Sequence, residues 1–149
     1  MERLQQIVGI GTVTSAAYVL VIEDPHRFKR SRTVGAYVGL VPRQDQSGGR
    51  DPQLRITKAG DLLLRKYLTG AAHYILGPFG PDTDLKRFGE ALLKRGGKGA
   101  KKRAAVAVAR KLAVLMHHLW ITNEEYDSLH NGKRRDLQKT KDRSRARCV

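Results

Sequence analysis

Apolar residues in this chain recur at helical spacing, and pairs of glycine or proline cut the pattern into separate pieces. The first piece is Ile7-Val-Gly-Ile-Gly11, two glycines around one apolar residue, after which Thr12 can cap a helix running to about Ile22. Asp24-Pro25 stops that helix. His26-Arg-Phe-Lys-Arg30 follows as a basic connector, with Phe28 as its anchor to the core. Ser31 suits the N-cap of a short helix to about Val38, with Val34, Tyr37 and Val38 facing inward. From Gly39 to Arg55 the periodicity disappears. A stretch of about fifteen residues without a period is uncommon inside a compact domain unless it has a task.

Thr57 is the expected cap of the next helix, to about Leu76, whose wide apolar face is Leu63, Leu64, Tyr67, Leu68, Ala71, Ala72 and Ile75. Lys58, Arg65 and Lys66 fall on its other sides, and His73 at the edge of the core. Gly77-Pro-Phe-Gly-Pro81 breaks the chain, and Asp82 or Thr83 can start a helix to about Arg95 through Leu85, Phe88, Leu92 and Leu93. Glycines 96, 97 and 99 forbid a helix until Ala100. Ala104 to Trp120 is then strongly helical, with Ala105, Val108, Leu112, Leu115 and Leu119 on one stripe. The expected fold is all-α: a compact helical domain over 1–127, with an N-terminal helix-hairpin-helix at about 3–22 and a disordered basic tail over 128–149.

Charge changes the picture. The chain has 149 residues, a net charge of +15 and a pI near 10.5, which argues for a polyanionic partner. Lys94 to Lys111 holds eight basic residues and no acidic one, and Lys133 to Arg147 holds eight against Asp136 and Asp142. Nucleic acid is the best match. A membrane surface is a weaker one, because neither stretch pairs its cations with an aromatic apolar face, and the longest apolar run, Ala16 to Ile22, is too short to span a bilayer. With Cys148 the only cysteine there is no disulfide framework, and Met1-Glu-Arg-Leu-Gln-Gln does not begin a signal peptide. A cytoplasmic location is expected. His26, His73, His117, His118 and His130 keep no metal-ligand spacing, so no structural metal is expected.

The candidate chemistry lies in Gly39-Leu-Val-Pro-Arg-Gln-Asp-Gln-Ser-Gly-Gly-Arg50 and the following Arg55-Ile-Thr-Lys-Ala-Gly60. Gly48 and Gly49 can turn backbone N–H groups toward an anion, since glycine tolerates the positive φ that such nests need. Arg43, Arg50, Arg55 and Lys58 supply charge around Ser47. Two readings stand. Ser47-Gly48 is a common turn pair on a solvated surface, or Ser47 is a nucleophile toward a phosphodiester with guanidinium groups neutralising the non-bridging oxygens. Lys58, expected in a helix's first turn, is badly placed for the helix dipole unless an anion is near. Gly9, Gly11 and Thr12 can likewise meet a backbone phosphate, or form a plain helix corner. Lys98, Lys101, Lys102 and Arg103 complete the candidate nucleic-acid contacts.

The pieces Ile7-Val-Gly-Ile-Gly11, Ala36-Tyr-Val-Gly-Leu-Val-Pro-Arg43, Ser47-Gly-Gly49, Ile56-Thr-Lys-Ala-Gly60 and Leu64-Arg65 together resemble the C-terminal domain of the IS one-ten, or IS one-sixteen, insertion-sequence transposases. The resemblance runs from about Ile7 to Tyr126. It implies an active serine, placed at Ser47 because that serine directly precedes the Gly-Gly pair. It also implies a structured guide RNA, joining of DNA through a serine-phosphate intermediate, and dimers or tetramers. The family's acidic RNase-H-like N-terminal domain, expected to complete the site with a divalent ion such as Mg, has no counterpart here. The chain alone is therefore expected to be inactive. A non-catalytic helix-hairpin-helix module and a basic partner for an acidic protein are the other classes that fit.

Overall fold

The computed structural model describes residues 1–44, 49 and 54–133. Among the described residues the fold is carried by α1 (Glu2–Gln5), α2 (Thr12–Ile22), α3 (Arg32–Tyr37), α4 (Leu62–Leu76), α5 (Asp84–Lys94) and α6 (Ala100–Thr122), with a 3-10 turn at Pro25–Arg27. No strand occurs among the described residues, so the all-α class holds. One core joins the elements from Leu4 to Leu119.

The molecule is built on α6, which packs against α4, α5 and α3. Ala104, Ala105, Ala109 and Ala113 are buried along it, and these small side chains let neighbouring helices approach closely while Val108, Leu112, Met116 and Leu119 fill the spaces. α6 has the length and hydropathy of a membrane-crossing segment, and half of that segment is buried against its neighbours. Two polar side chains fasten outer layers to it. The buried Tyr18 of α2 donates its hydroxyl to the Ala113 carbonyl at 2.7 Å, and burial pushes its pKa up. The fully buried His117 bonds the Pro25 carbonyl through Nε2 at 2.8 Å and faces the Ser31 hydroxyl through Nδ1 at 3.0 Å. A carbonyl only accepts, so Nε2 carries the proton, which leaves Nδ1 free to accept from Ser31.

Several helix starts differ from the expected ones. Gly11, not Thr12, is the N-cap of α2. Ser31 holds the N-cap position of α3 without capping it, because its hydroxyl is turned to His117. α4 begins five residues after Thr57: Asp61 is the N-cap, its carboxylate accepting the Leu64 N–H at 2.6 Å. The buried faces also differ from the expected ones. Leu63 is exposed and Arg65 buried, while His73 and Tyr37 lie at the surface. Of the two expected starts, Asp82 and Thr83, it is Thr83 that caps α5, through the Lys86 N–H. Beyond α6, residues 128–133 are tied to α5: the Asp84 N–H donates to the Ser128 carbonyl, and the Asp84 carboxylate accepts from the Asn131 and Gly132 N–H groups. The rest of the expected tail, 134–149, lies outside the described residues.

Candidate functional site

The aperiodic stretch is closed at its base by backbone geometry. Val41–Arg43 and Arg55–Thr57 run antiparallel, with a bridge between Pro42 and Ile56. The Arg43 N–H donates to the Arg55 carbonyl and the Thr57 N–H to the Val41 carbonyl, both at 2.9 Å. Pro42 takes the non-hydrogen-bonded position of this short ladder, where a missing N–H costs nothing. The register sets Arg43 and Arg55 directly opposite each other. Cross-strand partners have Cβ atoms within about 5.5 Å, and like charges so placed repel. Both arginines are exposed. The backbone thus holds two cations in facing positions.

Below the ladder the two limbs touch backbone to backbone. Gly39 and Gly60, both at positive φ, cross so tightly that a Cβ on Gly39 would overlap Ala59 and one on Gly60 would overlap the Tyr37 carbonyl. Arg65 locks the crossing. Its guanidinium Nη1 reaches three carbonyls, Val38 and Ala59 at 3.1 Å and Gly60 at 3.3 Å, with the side chain nine-tenths buried. The expectation that Arg65 lies on the outer side of its helix is thereby corrected. Its only sequence signal was the Leu64-Arg65 pair that closes the family-like run.

Lys58 is also relocated. It precedes α4 at φ 56 instead of sitting in its first turn, and its backbone N–H donates to the Gly39 carbonyl at 3.1 Å. The dipole argument for an anion at Lys58 therefore falls, although its side chain remains exposed. Gly49 is exposed at φ 77. Ser47, Gly48 and Arg50 lie outside the described residues.

The remaining candidates divide into two groups. In the hairpin, Gly9 at φ 85 backs onto Ala71, Tyr74 and Ile75 of α4, while Gly11 and Thr12 are exposed ahead of an α2 N-terminus with no acidic residue in its first turn. Between α5 and α6, Gly96, Gly97 and Gly99 all take positive φ. Lys98, Lys101 and Lys102 are exposed there, whereas Arg103 donates to the carbonyls of Lys98 and Gly96 and so holds the loop together. A groove of about 1470 Å³ joins the base of the closed stretch to this glycine loop, with Arg55 and Lys58 on one side and Lys102 and Arg103 on the other. The hairpin residues do not line it. Arg32 and Arg110, absent from the expected sites, do.

Exposed Arg43, Arg55 and Lys58 thus gather at the base of the tied-off segment. Residues 1–83 match the model of the transposase IS116/IS110/IS902 family, and the chain belongs to that family. It is 37% identical over 126 residues to a transposase for insertion sequence element IS1111A from Coxiella burnetii, covering 84% of this chain and 34% of the relative. Against a probable family 20 transposase from Pseudomonas aeruginosa it is 32% identical, over 78% of this chain and 34% of the relative. A pilin gene-inverting protein from Moraxella lacunata is 30% identical over 83% of this chain and 38% of its own length. The chain thus spans about a third of the length of the curated relatives it matches.

Proposed function

We propose that this chain is the serine-bearing domain of a DNA transposase or recombinase, with Ser47 as nucleophile. The observation that supports this reading is the register that sets Arg43 and Arg55 opposite each other at the mouth of the segment holding Ser47. In phosphoryl transfer the protein's contribution is in-line positioning and neutralisation of the non-bridging oxygens, and paired guanidinium groups supply the second. The Ser47 oxygen forms a new bond to phosphorus as the strand's bridging oxygen leaves. The serine gives up its proton to a carboxylate of the partner domain or to water, and the leaving oxygen takes one up. Arg50 joins Arg43 and Arg55 in holding the charge, with Gly48 and Gly49 presenting backbone N–H groups.

DNA is the proposed partner, with a structured guide RNA as a second polyanion. Lys58, Lys98, Lys101, Lys102 and the hairpin residues Gly9, Gly11 and Thr12 bind phosphates, while Arg103 shapes the loop that carries the lysines. Among the described residues no three His, Cys, Asp or Glu side chains stand close enough to hold a metal ion, so those residues do not fit the divalent ion implied by the resemblance. In this proposal its ligands belong to the acidic RNase-H-like domain, and the complete protein acts as a homo-oligomer.

The test is covalent trapping. With the acidic domain supplied in trans, the chain should form a protein–DNA adduct that maps to Ser47 and is lost in Ser47→Ala. Strand cleavage that persists in Ser47→Ala would remove the nucleophile. A second reading, a non-catalytic helix-hairpin-helix module, is favoured by the exposed Gly11-Thr12 start of α2 and its lack of acidic residues. Retained DNA binding without any adduct would select it.

A further inference from the structure

The groove along α6 is larger than the roughly 300–1,000 Å³ that small ligands occupy, and its floor is the wrong chemistry for a phosphate backbone. Ile56, Phe88, Leu92, Val106, Val114 and Leu115 line it, all half-buried, so apolar surface remains open along several turns of α6. Its charged groups are not balanced alike. The carboxylates at one end are engaged: Asp84 with the Asn131 and Gly132 N–H groups, Glu124 with His118, Glu125 with Arg3, and Asp127 with Lys133. Arg32, Arg95 and Arg110 also line the groove, and none of their guanidinium groups has a hydrogen-bond or ion-pair partner among the described residues.

From this pairing of an apolar floor with uncompensated guanidinium groups we infer that the groove docks an amphipathic helix whose polar face is acidic. Helix-in-groove recognition needs apolar side chains at i, i+3, i+4 and i+7 for the floor, and here carboxylates on the flanks for the three arginines. Nucleic acid satisfies the arginines but leaves the floor exposed. A second copy of this chain suits it poorly, because the sequence holds 29 Lys and Arg against 14 Asp and Glu and would bring like charge to the rim. The chain's own residues 134–149 carry seven basic side chains against two acidic ones and fail for the same reason. The occupant is therefore a separate acidic polypeptide segment. The groove shares Arg55 and Lys58 with the proposed DNA site, but the inference rests on its apolar floor and on Arg32, Arg95 and Arg110, and does not depend on Ser47 being the nucleophile.

The test uses the full 149-residue chain, labelled with nitrogen-15, and a fluorescent 18-residue peptide of Leu and Glu with Leu at helical spacing. Saturable binding should shift amides of residues 54–56, 85–92 and 106–115. A peptide of the same composition with Leu spread around the helix should bind at least tenfold more weakly, as should one with Lys in place of Glu. Arg32→Glu combined with Arg110→Glu, both at exposed positions, should weaken binding at least tenfold without loss of helicity. Equal binding of the rearranged peptide would overturn the inference, since charge alone would then suffice. So would shifts confined to residues 98–103, or displacement of the amides of residues 106–115 by a duplex DNA as effectively as by the peptide, which would make the groove a nucleic-acid site.

Discussion

Arg65 contributes more to the candidate site's geometry than any cation expected to touch the ligand. It turns three main-chain carbonyls from two chain segments into one rigid crossing, so the limbs that place Arg43 and Arg55 cannot slide. A hydrogen bond from a charged donor contributes about 1.5–3 kcal/mol, and the Val38 carbonyl would be left buried without it. Arg65→Ala should therefore lower stability by about 3 kcal/mol in urea unfolding. Arg65→Lys should recover less than half, because an ammonium is more strongly hydrated than a guanidinium and costs more to bury. Full recovery in the lysine variant would mean that the charge alone, not the weaker hydration of the guanidinium, matters. Tyr126 offers a second residue-scale test. Burial first, then the Asp84 and Asp127 carboxylates, push its pKa up to about 12 from an ordinary 10. A pKa raised in the folded state gives stability that is present below pH 10 and lost as pH rises toward 12. The urea midpoint should fall across that window, less steeply in Tyr126→Phe. Nothing in the sequence marked Arg65 as buried or Tyr126 as perturbed, since each depends on neighbours far along the chain.

At the scale of elements, the informative difference is the start of α4. Thr57 and Asp61 both precede apolar runs and both are acceptable caps, so local sequence does not choose between them. The ladder chooses: the Thr57 N–H is committed to the Val41 carbonyl and the Lys58 N–H to Gly39, which keeps 57–60 out of the helix until Asp61. Asp61→Ala should accordingly cost about 1 kcal/mol of stability, and Thr57→Ala less than about 0.5 kcal/mol, by the usual worth of an N-cap. Equal costs would restore the earlier start. Where signals were local and unopposed, as for Thr83 at the head of α5 or the glycines before Ala100, sequence reading placed the element correctly.

For the whole molecule, the decisive property is how charge is spread over a helical core. Each lysine that contacts a phosphate releases a counterion and adds about 0.9 to the slope of log affinity against log salt. Replacing Lys98, Lys101 and Lys102 together with alanine should reduce that slope for duplex DNA by about 2.7. An unchanged slope would show that the glycine loop does not touch DNA. Helical periodicity, the glycine and proline breaks and the excess of cations are properties of the chain itself, so the all-α class and the family resemblance were legible before folding. The cross-strand pairing of Arg43 with Arg55, the clamp by Arg65 and the groove with its unmatched arginines arise only when segments distant in sequence are packed together. Backbone register and burial are set by that packing, and no local pattern encodes which distant carbonyl a side chain will meet.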